Sequence, residues 1–531
     1  MRQTTLSTSH WPADASEPVL ETTVPGILRA AAERAPGATA LIEGVADRAA
    51  RRRWTYEELL SESERAARAL LGRFQPGERV AVWANNIPEW LLLEYGCALA
   101  NLTLVTVNPA FRPREVAYVL EQSGAAGIFL VPEVRGNPMA ETLRAIRPEL
   151  PSLREAVFFE DWQAFRDSGS PGQRLPEITP DDIAQIQYTS GTTGFPKGAL
   201  LHHRGITNNS RFYLGRRGQE TRGPIVNPMP LFHTAGSCMA AVGTPQFLDA
   251  HILVPGFDPG VVLELLESER AAGLGGVPTM LIAMIEHPDY RGRDLSRLRS
   301  VVSGGATVPS ELVRRIEQTL GVDFTIVFGM TEASPVITQT WPGDTPEDKA
   351  ETIGQPLPRA EVVIADPATG ETVPCGAIGE LRVRGYQVMK GYHQKPVETA
   401  EAIVDGWLRT GDLCSMDERG YCRVEGRLKD MIIRGGENIY PREIEELLFG
   451  NPAVADVAVV GVPDEHWGEQ VAAFVRPAPG HHPTEDELFR FCRDHLSPQK
   501  TPKVWVFVDE FPLTASGKVQ KYVLRERLVN G

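Results

Sequence analysis

From Val24 to about residue 340 the chain alternates stretches with apolar residues at helical spacing and short continuous apolar runs, among them ERVAVWAN, LTLVTVN, AAGIFLV and LRSVVSGGA. A segment such as YEELLSESERAARALL repeats apolar side chains every three or four positions, which predicts a helix laid on a core. The short runs predict buried strands, and the alternation predicts an α/β fold with parallel sheets. From about Gly354 the texture changes to glycine-punctuated runs, AEVVIADPATGETVP, GAIGELRVRG and YCRVEGRL, which predict a β-rich subdomain. After RLKD the alternation returns. REIEELLF reads as a helix, VADVAVVGV and EQVAAFVRP as strands, and DELFRFCRDHL as another helix. A boundary near residue 428 leaves a tail of roughly 100 residues, enough for a small domain.

At 531 residues the chain exceeds what one core usually organises, which agrees with at least two domains. The net charge of -15 speaks against a phosphate-backbone binder, so no nucleic-acid partner is expected, although a local basic cleft stays open. Six cysteines show no C-x-x-C pair and no clustering with histidines, which predicts a reducing, cytoplasmic setting without structural zinc. The opening MRQTTLSTSHWPADASEP is polar and predicts a disordered leader over 1–23. No 18-residue uncharged apolar run occurs, so no membrane span is expected. Of the 54 basic residues, 9 are lysine and 45 arginine, so each lysine needs a reason.

The stretch YTSGTTGFPKG offers bare backbone, hydroxyls and one ammonium: Thr189, Ser190, Gly191, Thr192, Thr193, Gly194 and Lys197. Such donors suit an anion such as phosphate. A flexible surface loop could share that composition. Here, however, it follows DDIAQIQY, which reads as a short buried strand, so the loop leaves a sheet edge where ligands bind. It is not a Walker loop, because Pro196 precedes Lys197 and Gly198 follows it.

The order YTSGTTGFPKG, MPLFHTAG, SGGATVP, FGMTEASP, WLRTGDL, GRLKDMIIRGGENIYPREIE and PLTASGKVQK resembles the adenylate-forming superfamily of acyl-CoA synthetases, adenylation domains and luciferases, from about residue 24 onward. RGYQVMKGY and DMIIRGGENIYPREIE are most similar to medium-chain fatty acyl-CoA synthetases. The resemblance implies a 24–428 domain of two α/β sheet subdomains plus the β-rich one, and a mobile α+β domain over 429–531. It implies ATP, magnesium and CoA as cofactors and a carboxylic acid as substrate, with the YTSGTTG loop and Lys197 cradling the departing phosphates. Glu332 resembles the magnesium ligand and Thr331 the α-phosphate contact, although both could instead form a helix cap.

Adenine would lie between Gly304-Gly305-Ala306 and Phe328-Gly329. The family commonly has Tyr at Phe328 and often Gln at Ile326, so stacking survives while a side-chain hydrogen bond to the adenine amino group is in doubt. Asp412 and Arg427 would hold the ribose, and His233 would line the carboxylate pocket and gate the thiol. The small residues after His233 leave room for an apolar tail, or simply pack helices closely. An amino-acid-activating domain needs an acid where His233 stands. Lys518 would meet the carboxylate and α-phosphate, Lys429 would be the hinge, and Gly435-Gly436 would pass the pantetheine arm. Acyl-AMP ligation to a carrier protein, aryl or branched acids, an inactive scaffold, and a homodimer stay open.

Overall fold

The computed structural model describes residues 5–189, 196–218, 221–305, 310–435, 437–464, 466–512 and 519–529. The chain divides into two compact units. One comprises Trp11–Val362 and Val383–Leu408, and the other the described residues within Thr4–His10, Val363–Arg382 and Arg409–Gly531.

In the first unit the apolar runs become parallel strands. Glu155–Phe158, Gly127–Leu130, Arg79–Trp83, Thr103–Thr106 and Ile183–Thr189 lie side by side in that order, and Lys197–His202 closes the edge antiparallel. A nine-stranded sheet has a parallel centre that includes Ile225–Asn227, Gly273–Gly275, Ser300–Gly304 and Asp323–Gly329. Its two ends turn antiparallel, through Val336–Gln339 beside Asp323–Gly329 and Arg53–Thr55 beside Thr39–Glu43. Central strands are buried on both faces, which is why they read as unbroken apolar runs. Helix Tyr56–Leu71 starts where Thr55 and Glu58 form a reciprocal capping box: the Thr55 N-H donates to Glu58 Oε2 at 2.8 Å, and the Glu58 N-H to Thr55 Oγ1 at 3.2 Å.

The segment expected as a disordered leader is instead tied down from Leu6, whose N-H donates to Glu418 O at 2.8 Å. His10–Trp11 is a strand, and the Ser9 N-H donates to Val373 O at 3.0 Å. Further along, the Leu20 N-H donates to Asn208 Oδ1 at 2.7 Å and Asn208 Nδ2 to Leu20 O at 2.9 Å. Main-chain pairing is nearly independent of side-chain polarity, so composition alone misjudged this strap.

In the second unit, Asp412–Met416 and Cys422–Arg427 form an antiparallel pair. A five-stranded sheet contains Glu437–Ile439, Ile432–Arg434, Gly468–Pro477, Val454–Asp464 and Val504–Phe507. Helices Pro441–Phe449 and Glu485–His495 contribute Ile444, Leu448, Leu488 and Cys492 to its core.

Helix His203–Gly215 is anchored under the strap by a neutral histidine: His203 Nδ1 accepts the Val24 N-H at 3.3 Å, and burial pushes its pKa down to about 4. The unfolded chain binds a proton near pH 6.5 that the folded chain refuses, so this stability is complete above that pH and is lost as pH falls toward 4. The shift corresponds to roughly 3 kcal/mol. Melting temperature is expected to drop over that window, and His203→Gln should flatten the drop; an unchanged slope would exclude His203 as its source.

Candidate active site

The phosphate-loop stretch leaves strand Ile183–Thr189 and returns as the edge strand Lys197–His202, with Thr189 directly opposite Lys197. Thr189 Oγ1 donates to Lys197 O at 3.4 Å. Ser190, Gly191, Thr192, Thr193 and Gly194 lie outside the described residues. The outer edge of Lys197–His202 is itself paired. Lys390 N-H donates to Leu200 O at 3.0 Å, Leu200 N-H to Gly391 O at 2.9 Å, and His393 N-H to Gly198 O at 2.8 Å. That ladder carries the Tyr392 ring to Lys197, whose Nζ sits 4.7 Å from the ring centroid.

Thr331 and Glu332 start a single 3-10 turn, Thr331–Ala333, and its N-cap, Met330, makes no side-chain cap bond. The helix-cap alternative therefore does not describe them. Thr331 is half-buried and Glu332 buried. Glu332 Oε1 accepts the Tyr392 hydroxyl at 2.7 Å, and its carbonyl accepts the Met389 N-H at 2.9 Å. Burial, reinforced by the Glu332 charge, raises the Tyr392 hydroxyl well above the ordinary tyrosine range, so it stays a donor. Lys197, Tyr392 and Glu332 thus form one contiguous group. Tyr392 was not singled out from the sequence. Its signal lay in the KGY of RGYQVMKGY, read there only as resemblance.

Gly304 pairs with Val327 across parallel strands, and a Cβ on it would lie 2.5 Å from Val327 O. A Cβ on Gly329 would lie 1.9 Å from Pro335 O, so only glycine fits where the chain doubles back. Gly305 has φ +76°, Phe328 is half-buried, and Ala306 lies outside the described residues. Ile326 is buried in an apolar cluster with Val301 and Phe324, so it presents no polar group at all.

His233 is exposed, and its Nδ1 accepts the Ala235 N-H at 3.2 Å, which leaves the ring proton of the neutral form on Nε2. Ala235–Ala241 follows as a π-helix, a rare form that frequently occurs at functional sites. A Cβ on Gly236 would lie 2.3 Å from Pro230 O, which explains glycine at its start. Ala235 and Met239 join Phe212, Tyr213, Val302 and Val336 in an apolar cluster.

In the second unit Asp412 stands opposite Arg427 in register, and Arg427 Nε donates to Asp412 Oδ1 at 2.9 Å. The turn before Asp412 is pinned by Glu380, which accepts from Gly411 N at 3.3 Å, Arg409 Nε at 3.0 Å and Arg382 Nε at 2.9 Å. Sequence reading missed this buried anchor. Lys429 lies in the 3-10 turn Leu428–Asp430. Gly435 has φ +61°, and a Cβ there would lie 2.9 Å from the Trp467 ring. Gly436 and Lys518 lie outside the described residues.

A family model described as AMP-binding enzyme matches residues 28–393, and one described as AMP-binding enzyme C-terminal domain matches 443–518. The chain belongs to the AMP-binding enzyme family. It is 37% identical over 562 residues to "Medium-chain acyl-CoA ligase ACSF2, mitochondrial" of Danio rerio, covering 98% of this chain and 91% of that one. It is 39% identical over 510 residues to "Acyl-CoA ligase SID4" of Ajellomyces capsulatus, covering 89% and 86%. The crystal structure of ATP-bound MatB from Rhodopseudomonas palustris superposes with a TM-score of 0.86 at 29% identity, over 95% of this chain and 99% of that one. The fold is that of adenylate-forming enzymes, with a large N-terminal and a small C-terminal domain.

Tyr392→Phe keeps the ring beside Lys197 and removes the donor to Glu332. A hydrogen bond to a charged group contributes about 1.5–3 kcal/mol, so acid-dependent pyrophosphate release should fall roughly ten- to a hundredfold. Tyr392→Ala should fall further. Wild-type release by the phenylalanine variant would remove the hydroxyl from the site.

Proposed function

We propose that the acid activated by this AMP-forming acid:CoA ligase is a medium-chain fatty acid. The observation that carries the reading is the wall after His233: Ala235 and Met239 pack in an apolar cluster, and LFHTAGSCMAA contains no carboxylate to pair an amino acid's ammonium. The medium-chain name of a relative at 37% identity supports it.

In the first half-reaction a carboxylate oxygen attacks the α-phosphorus of ATP, the bond to the β-phosphate breaks, and pyrophosphate leaves. Charge builds on phosphate oxygens, so fixed donors and cations raise the rate. Thr189 and Lys197 are assigned to the departing phosphates with Ser190 to Gly194. Thr331 is assigned to the α-phosphate and Lys518 to the reacting oxygens. A magnesium ion fits Glu332: one buried carboxylate, held by the Tyr392 hydroxyl, suits a hard cation that takes its remaining ligands from water and phosphate. Among the described residues no cluster of three His, Cys, Asp or Glu would make an all-protein cage. When bound, the ion would neutralise phosphate charge, and Tyr392 would orient its carboxylate. Phe328 would stack on adenine between Gly304-Gly305-Ala306 and Gly329, and Asp412, oriented by Arg427, would accept the ribose hydroxyls. In the second half-reaction the CoA sulfur attacks the acyl carbon, AMP leaves, and the thiol proton passes to solvent. Gly435-Gly436 and His233 are assigned to the thiol's path, with Lys429 as the pivot between the two steps. A reducing, cytoplasmic setting is proposed from the sequence pattern of six cysteines without a C-x-x-C pair.

Lys518→Ala should depress adenylation about 100- to 1000-fold while largely sparing thioester formation from supplied acyl-adenylate. Equal loss in both halves would reject the assignment.

Catalytic efficiency should climb about fourfold per methylene up to a limit, since each buried methylene contributes about 0.8 kcal/mol. Ala235→Phe should move the optimum to shorter acids. Equal use of acetate and octanoate, or preference for an aryl or amino acid in an acyl-CoA formation assay, would overturn the medium-chain reading.

A further inference from the structure

The strand that delivers the phosphate loop carries a second, buried row of polar groups. Residues alternate along a strand, so Gln185, Gln187 and Thr189 share one face of Ile183–Thr189. Gln185 and Gln187 are each 2% exposed, where apolar residues are the rule and an unbonded amide would be costly. Their bonds lead away from the sheet in two directions. Gln185 Nε2 donates to Glu94 Oε1 at 2.5 Å, and its Oε1 accepts Gln187 Nε2 at 2.8 Å. Gln187 Nε2 also donates to Ser237 Oγ at 2.8 Å, and Ser237 Oγ lies 3.3 Å from His233 O. Ser237 is on the opposite flank of the π-helix from the apolar cluster that holds Ala235 and Met239. The row therefore runs from Glu94, on helix Pro88–Leu99, to the element assigned above to the acid pocket. The residue after Glu94 clamps the far end of that element: Tyr95 hydroxyl donates to Ala241 O at 2.7 Å.

Glu94 is 2% exposed inside the apolar run WLLLEYGCAL, and among the described residues it forms no ion pair. Burial holds its carboxyl well above the usual carboxylate range. Glutamine keeps the Oε1 acceptor that the Gln185 amide uses, whereas leucine removes it.

We propose that Glu94 and Gln187 are positioning residues for the acid substrate: through Gln185 and Ser237 they fix the π-helix Ala235–Ala241 against the phosphate-loop strand and so set the Michaelis constant for the acid. This rests on the reading of Ala235–Ala241 as the acid-pocket wall. Neither residue touches a reacting atom. The π-helix is only seven residues long, so its position depends on what it is tied to. One displaced turn would alter the apolar wall and leave the nucleotide side in place.

The test uses the full-length enzyme with octanoate, ATP and CoA, and checks each variant for folding by thermal melting. For Gln187→Leu the octanoate KM should rise about tenfold, with the ATP KM and kcat within about twofold of wild type. Glu94→Gln should behave as wild type, and Glu94→Leu should follow Gln187→Leu. If Gln187→Leu fails to fold, Ser237→Ala removes the same 2.8 Å contact from the other side and should show the same split. An unchanged octanoate KM in a folded variant, an equal rise in the ATP KM, or a Glu94→Gln enzyme as impaired as Glu94→Leu would each overturn the proposal. Ala235→Phe separates the two levels. If it leaves the chain-length profile unchanged, the pocket assignment itself fails; if it shifts the profile while Gln187→Leu is silent, only the positioning role falls.

Discussion

The site depends on a backbone ladder. A parallel sheet would end at Ile183–Thr189 with one row of amide groups unpaired, but the chain folds back as Lys197–His202 and then receives residues 390–393 along its new edge. These main-chain bonds require no particular side chains, and they place three that matter. Lys197 and Tyr392 meet because the segment 390–393 bonds along strand Lys197–His202, and Glu332 is reached because Met389, just before the ladder, donates to its carbonyl. Weakening the ladder would disperse the cation, the phenol and the carboxylate together, although no two of them are close in sequence.

Steric exclusion supplies the second constraint. At Gly329 a single carbon would sit inside the van der Waals surface of Pro335 O, and at Gly236 inside that of Pro230 O. These glycines set how tightly the chain reverses before Glu332 and after His233. Phe328 adjoins the first reversal, and Met239 follows the second by three residues. Close packing here serves shape first, since relaxing either turn would change what the neighbouring side chains face.

Much of the fold was legible because it follows period and composition: YEELLSESERAARALL is helix Tyr56–Leu71, and ERVAVWAN contains strand Arg79–Trp83. Candidate site residues could be named from the sequence where motifs are contiguous, as at Thr331, Glu332 and Asp412. The site was not legible where contact depends on register between distant segments. Tyr392 meets Glu332 across 60 residues, and Glu380 pins the Asp412 turn from another strand. Glu94 looked like one polar interruption in an apolar helix, and only tertiary packing shows it facing Gln185. The N-terminal strap was misread for the same reason, because its partners, Asn208 and Val373, lie in remote parts of the chain.

The scarcity of lysine has a chemical consequence of its own. An acyl-adenylate is a mixed anhydride and acylates free amines, so an enzyme that makes one is exposed to its own product. Guanidinium groups stay protonated in water and do not react as nucleophiles. Here 45 of 54 basic side chains are of that kind. Several of the remaining ammonium groups are engaged by carboxylates: Lys349 by Glu317, Lys390 by Asp181, Lys500 by Glu443 and Lys521 by Glu445. Lys197 instead rests against an aromatic face, which holds it in place without cancelling its charge. The surface that an escaping anhydride meets is thus poor in available amines.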